Sequence, residues 1–353
     1  MNARLSPTTV DELVEAVRST PHLLACGAQT KPRLSRLDVP LLETRQLKGI
    51  TEYDSSEFTF TALAGTPVAD ISAALAERGQ YLPFDPVLAK RGTTLGGTVA
   101  AGVSGPGRFR YGALRDFILG VQFVDGSGQL LRMGGKVVKN AAGFDLPKFF
   151  VGSLGRFGVL AEFTFKVFPR PASLLTVKIP AENAASIARV MMDASRARWE
   201  LDALDASPND RAVYLRLGGP AEANDALAAE ILARWPGEIL GDAGAWWTSI
   251  TEFDWAPSAD VLLKVPLTPS RIASLVDELP GSARVHITAG GNTAWISVPP
   301  AEVSTLDSKL TKLSLCGLVL RGESSLKLGH WPATALADRV KAVLDPVNRF
   351  PSI

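Results

Sequence analysis

The stretch that decides the fold is "RGTTLGGTVAAGVSGPGRFRYG", which runs from Arg91 to Gly112. It is rich in glycine, carries three arginines and contains no acidic residue. A tight turn needs one or two glycines, whereas this stretch bares enough main chain for a ligand to lie directly against it. Sixteen of the 31 glycines fall between Arg91 and Gly158, which favours a backbone-lined site. A β-rich domain with many bulges and tight turns is the alternative that composition alone leaves open.

The residue types of this stretch favour an anionic ligand. Gly96 and Gly97 offer consecutive main-chain amides, an arrangement that forms an anion-binding nest. Nearby hydroxyls and positive charges belong to Thr93, Thr94, Thr98, Arg108, Arg110 and Arg115. No G-x-G-x-x-G is present, so the dinucleotide fingerprint of the Rossmann fold is absent. The pattern fits a diphosphate better than a neutral ligand.

Composition limits the class of protein. The chain has 353 residues, which is too long for one hydrophobic core and indicates two domains or one domain with a large insertion. Its composition, 46% hydrophobic and 21% charged, is that of a soluble globular protein. A formal net charge of +1 gives no bulk attraction to nucleic acid or anionic lipid. The N-terminus lacks the apolar core of a signal peptide, and no run approaches the roughly 18 apolar residues of a membrane helix.

Cysteine and histidine are scarce. Cys26 and Cys316 lie far apart in sequence, and the three histidines occur singly. This spacing matches neither a disulfide framework nor a zinc or iron–sulfur site. We therefore expect a reduced, cytosolic protein without a metal of its own.

The first half of the chain reads as mixed helix and strand. Predicted are a capped helix from Thr9, a strand running into a glycine-containing loop, and a second helix capped by Thr66 with Pro67 at its first position. A hairpin around Asp125–Gly128 and a strand over Gly158–Phe168 complete it. Pro169 and Pro171 then break the pattern, so we place a domain boundary there.

The second half of the chain has a different order of predicted strands and helices. Residues 173–240 read strand, helix, strand, strand, helix, and residues 259–322 repeat that order. Such repeats predict an antiparallel sheet with helices on one face, an α+β domain. The predicted fold is therefore α+β, with domains at 1–171 and 172–329 and a C-terminal segment, 330–353, that returns to the first domain.

Two stretches of the sequence resemble a known family. The glycine-rich stretch and "VVKNAAGFDLPKFFVGSLGRFGVLAEFTFKVFP" resemble the FAD domain of the p-cresol methylhydroxylase (PCMH)/vanillyl-alcohol oxidase superfamily. Within it, the sequence is most similar to the FAD-binding E-subunit family of bacterial glycolate oxidase. The strong match covers residues 60–170. The resemblance implies a two-subdomain PCMH-type FAD-binding domain and a smaller cap domain.

The resemblance also implies where FAD lies. The loop at 27–31 and the turn at 94–97 would bind the pyrophosphate, and residues 100–105 would lie along the flavin. The cofactor-binding residues implied are Gly27, Thr30, Thr94, Leu95, Gly96, Gly97, Ala100, Gly102, Val103, Gly105, Arg110, Tyr111, Gly112, Lys139, Val159 and Leu160. The first loop has no histidine for covalent attachment, so FAD is expected to be non-covalent. Cys26 is interpreted as a small buried residue rather than a flavin ligand.

Whether the chain is itself the catalyst stays open at this stage. Oxidation of a 2-hydroxy acid needs a base, usually histidine, and a cation for the carboxylate. His286 lies in an apolar strand pattern typical of a core residue, and His330 begins the last predicted helix. Arg110, Arg156 and Lys139 are interpreted as solvated charges or FAD-phosphate ligands rather than carboxylate ligands. No catalytic residue is therefore assigned.

A cluster of aromatic residues, Trp246, Trp247, Phe253 and Trp255, has two interpretations: core packing at the domain junction, or an exposed patch for a partner subunit. The resemblance implies partners, namely a larger paralogous flavin subunit and an iron–sulfur subunit. The predicted function is an accessory or electron-transferring FAD subunit of a complex that oxidises glycolate or a related 2-hydroxy acid. A stand-alone dehydrogenase and a flavin-free scaffold are the alternatives. The expected location is the cytoplasm, with partners holding the complex at the inner face of the membrane.

Overall fold

The computed structural model describes residues 4–135, 145–332 and 335–352. The chain forms two compact units. The first unit combines Met1–Ser104, Ala113–Arg170 and Ala333–Ile353, and the second combines Gly105–Gly112 with Pro171–Pro332. Nothing in the sequence pattern indicates that Gly105–Gly112 belongs with the second unit.

The first unit contains short helices and three small sheets in its described part. Its strands are β1 (Arg4–Leu5), β2 (Leu24–Cys26), β3 (Leu41–Glu43), β4 (Ile50–Asp54), β5 (Thr59–Leu63), β6 (Gln80–Tyr81), β7 (Ile118–Val124), β8 (Leu130–Gly134), β9 (Val159–Lys166) and β10 (Phe168–Pro169). Its helices are α1 (Val10–Ser19), α2 (Val68–Ala76), α3 (Leu95–Ala101), α5 (Leu146–Phe149) and α11 (Ala335–Leu344), with 3₁₀ turns at Pro32–Ser35, Thr44–Gln46 and Leu114–Asp116.

Strand pairing in the first unit separates two subdomains. β1, β3 and β2 form a parallel sheet in that order, whereas β4, β5, β9, β7 and β8 form an antiparallel one. β9 is the central strand, and six of its eight residues are buried, as expected for a strand covered on both faces. The predicted hairpin is confirmed by the pairing of β7 with β8.

Local capping explains where α1 begins. The Thr9 hydroxyl accepts a hydrogen bond from the Glu12 amide at 3.1 Å, as predicted, but the Glu12 carboxylate bonds the amide and hydroxyl of Thr8. The second predicted cap is wrong, because the Thr66 hydroxyl donates to the Leu63 carbonyl and Pro67 precedes the helix without a side-chain cap.

The C-terminal segment is tied to the first unit by a buried carboxylate. Asp345 is 3% exposed, and its carboxylate accepts a hydrogen bond from the Lys341 ammonium, with 2.8 Å between Nζ and Oδ2. It also accepts from the main-chain amides of Arg349 and Phe350, at 2.8 and 2.9 Å. The Arg349 side chain donates to the carbonyls of Gly126 and Thr20. We call this group of contacts the C-terminal clasp.

The second unit begins with a helical turn from the glycine-rich stretch. Its helices are α4 (Arg108–Tyr111), α6 (Ala184–Arg196), α7 (Ala221–Arg234), α8 (Gly244–Glu252), α9 (Ile272–Glu278) and α10 (Val303–Lys312), with 3₁₀ turns at Pro269–Arg271, Ala289–Gly291 and Pro300–Glu302. Its strands are β11 (Ser173–Pro180), β12 (Leu201–Ser207), β13 (Ala212–Gly219), β14 (Glu238–Leu240), β15 (Val261–Pro266), β16 (Arg284–Thr288), β17 (Thr293–Val298), β18 (Cys316–Arg321) and β19 (Lys327–Gly329).

These nine strands form one antiparallel sheet, in the order β14-β11-β13-β12-β16-β17-β15-β18-β19. Helices α6, α7, α9 and α10 share a single core with one face of the sheet. The α+β prediction with helices on one face is therefore confirmed for four helices. Helix α8 is the difference: Trp247 packs with Tyr214, which alternates with core residues Val213 and Leu215 and so points to the other face.

Among the described residues, no helix combines the length and apolar character needed to cross a bilayer.

Candidate functional site

The first unit contains a cleft with an empty volume of about 660 Å³ that opens to solvent. Three parts of the chain form it: the loop after β2, helix α3, and the stretch around the start of β9. The lining residues are Ala25, Cys26, Gly27, Ala28, Gln29, Thr30, Lys31, Leu34, Ser35, Thr44, Ala64, Gly96, Gly97, Ala100, Ala101, Leu154, Gly155, Gly158 and Leu160. Small residues dominate this surface, so much of the wall is main chain.

The loop after β2 rests directly on the start of α3. A Cβ added to Gly27 would lie 2.3 Å from the Thr94 hydroxyl oxygen, so only glycine permits this approach. That same hydroxyl caps α3 by accepting from the Gly97 amide at 3.2 Å. Gly27 and Thr94 therefore fix the two loops against each other.

The two consecutive glycines of α3 have different surroundings. The Gly96 amide donates a hydrogen bond to the Ala64 carbonyl at 2.8 Å, and a Cβ on Gly96 would meet the Ala64 side chain at 2.9 Å, so Gly96 allows close packing against the residue that follows β5. Because the Gly97 amide is bonded to the Thr94 hydroxyl, the predicted nest of consecutive amides open to a ligand is wrong. A Cβ on Gly97 would have only the Thr94 hydroxyl within 4 Å, at 3.0 Å. Because Gly97 lines the cleft, its missing side chain leaves room for a ligand.

Other predicted site residues support the cleft without lining it. Gly102 ends α3 with φ +61°, and an added Cβ would lie 2.9 Å from the Gly152 main chain. Leu95, Val103 and Val159 are each at most 1% exposed and do not line the cleft. The structure thus brings Gly27, Thr30, Gly96, Gly97, Ala100 and Leu160 together in the cleft wall.

The remaining predicted residues are placed elsewhere. Gly105, Arg110, Tyr111 and Gly112 belong to the second unit, where the Arg110 guanidinium pairs with the Glu200 carboxylate at 2.8 Å. Lys139 lies outside the described residues. The cofactor roles of these five residues stay predictions.

Lys31 ends the loop, 27–31, that the resemblance assigns to the pyrophosphate, although it is not among the individually predicted cofactor-binding residues. Lys31 is one of the residues that line the cleft, although it is only 7% exposed. Its ammonium donates to the hydroxyls of Thr93 at 3.0 Å and Thr30 at 3.2 Å. Burial lowers the pKa of Lys31 to about 8, because leaving water disfavours the charged form. A single cation in the loop sequence "GAQTK" was the signal that could have identified it.

A second buried cation lies behind the loop. Arg156 is 1% exposed, and its Nη2 donates to the carbonyl of Leu34, a cleft residue, at 3.4 Å. Its Nε and Nη1 have no hydrogen-bond partner within the described part of the chain. Burial, and then the charge of Arg33, lower the pKa of Arg156 to about 10. Two buried cations, Lys31 and Arg156, therefore lie in this region, and among the described residues no carboxylate pairs with Lys31.

Cys26 lines the cleft but is chemically quiet. Burial first, and the Glu43 carboxylate second, raise the pKa of its thiol to about 12. The Cys26 thiolate should therefore be about 10⁻⁴ of the total at pH 8, which makes the residue unreactive. We expect iodoacetamide at pH 8 to leave Cys26 unmodified while the half-buried Cys316 reacts, as measured by peptide mass spectrometry. Cys26→Ser, which leaves Cys316 as the single cysteine, is the control; equal labelling of both cysteines would contradict this.

The candidate base in the second unit is a core residue. His286 is 2% exposed, and its Nε2 lies 2.8 Å from an oxygen of Asp205, which is itself fully buried. Asp205 also accepts from the Thr288 hydroxyl and the Ala289 amide. His286 thus joins strands β12 and β16, in agreement with the core interpretation.

The aromatic cluster also packs inside the second unit. Trp246 stacks on Tyr214 with ring centroids 3.9 Å apart, and Trp247 donates to the Thr176 hydroxyl at 2.9 Å. Phe253 is 1% exposed and packs edge-on against Trp295. Of the two interpretations of this cluster, the contacts favour internal packing. The described residues contain no group of three or more His, Cys, Asp or Glu side chains arranged to hold a metal.

The cleft has the properties that FAD requires. A flat ring and a diphosphate need a wall of main chain and small side chains, an anion needs a cation, and the cleft provides both in Gly97, Ala100 and Lys31. A family model for an FAD-binding domain matches residues 2–134. The fold and the site therefore define an FAD-binding protein of the PCMH type.

Comparisons with known proteins narrow the class. The chain is 37% identical over 251 residues to the glycolate oxidase subunit GlcE of Escherichia coli, covering 70% of this chain and 68% of that protein. It is 31% identical to the glycolate oxidase subunit GlcD of Bacillus subtilis, covering 53% of this chain but 40% of that protein. The solved structure of an alkyldihydroxyacetonephosphate synthase matches 98% of this chain with a TM-score of 0.70 at 14% identity, which shows the shared fold. The chain belongs to the GlcE family, and its cofactor is FAD.

Proposed function

We propose that this protein is the FAD-binding subunit of a complex that oxidises glycolate or a related 2-hydroxy acid, and that it serves an accessory or electron-transferring role. The observation that carries the proposal is the cleft, in which main chain and small side chains adjoin one buried cation. FAD would supply the two-electron acceptor of such a reaction when bound there. The main chain at Gly97 would lie against it, and Lys31 would face its negative charge.

The chemistry of the cleft wall supports an accessory role. Removing the hydroxyl proton of a 2-hydroxy acid requires a base that can be deprotonated near neutral pH. Among the lining residues, the ionisable side chains are Cys26 and Lys31. The Cys26 thiol has its pKa raised to about 12, and the Lys31 ammonium is protonated below about pH 8. Neither suits that step at pH 7, so we assign the base to a partner.

The partners that we propose are a larger paralogous flavin subunit and an iron–sulfur subunit. The relatives GlcE and GlcD both carry the word subunit in their names, and both resemble this chain, which supports a complex of related chains. A stand-alone dehydrogenase is the second candidate function.

Anaerobic reduction tests the proposal. The purified chain should be yellow, and heat should release FAD that is identified by its absorption spectrum. Addition of glycolate should leave the flavin of the isolated chain oxidised, whereas the same chain co-purified with the products of neighbouring genes should be bleached. Rapid bleaching of the isolated chain would instead identify it as a catalyst, and a colourless folded chain would refute the FAD-binding role. D- and L-lactate, added in the same way, report which 2-hydroxy acid is accepted.

A further inference from the structure

The ammonium of Lys31 lies among hydroxyl groups rather than carboxylates. Its two hydrogen-bond acceptors are the side chains of Thr30 and Thr93. The Thr93 hydroxyl lies 3.5 Å from that of Thr98, which in turn donates to the Thr94 carbonyl. Hydroxyl groups orient a cation but do not neutralise it. The positive charge of Lys31 is therefore uncompensated within the described part of the chain.

An uncompensated charge that is more than nine-tenths buried is costly. A protein can lower that cost by releasing the proton or by binding an anion beside it. Lys31 is one of the residues that line the cleft, and its ammonium donates to the hydroxyl of Thr30, which also lines it. An anion bound in the cleft would therefore lie near this ammonium. Arg156 adds positive charge behind Leu34, but Arg156 itself is not part of the cleft wall. Lys31 is thus the cation that a ligand in the cleft would meet.

We propose that Lys31 is the counter-cation of a diphosphate bound in this cleft, and that Lys31 takes up a proton when the diphosphate binds. The inference rests on the proposed function, because FAD is the diphosphate ligand that we place there. The chemistry recognised is the diphosphate itself, so ADP offers the same group without the flavin. Proton uptake makes cofactor loading sensitive to mildly alkaline pH.

The direction of the pH effect follows from the two states of Lys31. In the free protein, burial lowers the pKa of Lys31 to about 8. A bound diphosphate favours the ammonium form and raises that pKa. Affinity is therefore highest below pH 8 and falls as the pH rises through 8 in the free protein. The other ionisable side chain of the cleft wall, Cys26, has its pKa raised to about 12 and does not titrate in this range.

Calorimetry on the deflavinated chain measures the effect without relying on activity. The dissociation constant of FAD should increase about tenfold between pH 7 and pH 9. Titrations at pH 8.5 in two buffers of different ionisation enthalpy should report uptake of about 0.8 proton per FAD. An FAD affinity that is flat from pH 7 to 9, without proton uptake, would overturn the proposal while leaving FAD binding intact. Absence of FAD binding at every pH would refute the proposed function instead.

A variant assigns the effect to one residue. Lys31→Met should weaken FAD and ADP binding at pH 7 by the same factor, at least about tenfold, and should abolish the pH dependence. Riboflavin, which has no phosphate, should bind the variant and the native chain equally. Lys48→Met, the same change at an exposed lysine of the same unit, is the matched control and should behave as the native chain. Equal losses for riboflavin and FAD would overturn the assignment to the diphosphate.

Discussion

A Gly97→Val protein should fold and yet fail to retain FAD. An added Cβ at Gly97 would lie 3.0 Å from the Thr94 hydroxyl and would have no other atom within 4 Å. A shift of this one side chain therefore makes room for the substitution. A β-branched side chain there would fill space that the ligand needs and would hold the ligand away from the main chain. We expect FAD affinity to fall at least about a hundredfold, equivalent to ~3 kcal/mol of binding free energy.

The measurement is the ratio of visible to ultraviolet absorbance after gel filtration, with circular dichroism to confirm folding. Gly241→Val is the matched control, because an added Cβ at Gly241 meets nothing within 4 Å and the residue belongs to the second unit. Gly97→Ala should give an intermediate loss. A folded, yellow Gly97→Val protein would show that FAD does not approach α3 at this position.

The largest loss of stability is expected from Asp345→Ala. This substitution removes the acceptor of three hydrogen bonds at the centre of the C-terminal clasp and leaves the Lys341 ammonium half-buried without its carboxylate. Breaking a buried pair by removing one partner costs about 3–5 kcal/mol of unfolding free energy. Because the clasp belongs to the first unit, that unit should unfold at a lower denaturant concentration.

Urea titration, monitored by circular dichroism and by flavin fluorescence, separates unfolding of the first unit from unfolding of the second. Asp338→Ala, at an exposed aspartate on the same helix, is the control and should change the unfolding free energy by less than about 0.5 kcal/mol. A cost below about 1 kcal/mol for Asp345→Ala would mean that the clasp does not support the first unit.

Much of the fold was predictable because local patterns act over short ranges. The hairpin of β7 and β8 follows from two apolar runs around a glycine-containing turn, and the repeated strand–helix order of the second unit follows from its periodicity. The position of α8 was not predictable, since "GAWWTSITEF" is apolar on more than one side. Only the alternation of Tyr214 with its strand neighbours shows which face of the sheet Trp247 covers.

The site was predictable in part for a similar reason. Gly96 and Gly97 were predicted because glycine is a local signal for main-chain exposure, and Gly27 was implied by the resemblance; all three line the cleft. Lys31 lay at the end of the loop that the resemblance assigned to the pyrophosphate, but it was not singled out, since a lysine in a polar loop looks solvated until the fold buries it. Gly102 looked like a ligand contact, but its role in the described structure depends on Gly152, which lies fifty residues further along the chain. Long-range packing of this kind leaves no pattern within a short stretch of sequence.

The C-terminal clasp has a consequence for the order in which the protein is made. The second unit lies, in the chain, between two parts of the first, and the residues that close the first unit follow it. A ribosome therefore delivers everything that the nine-stranded sheet needs before it delivers Asp345 and Arg349. The clasp, and the stability that it adds to the first unit, can therefore form only after the whole of the second unit has been synthesised.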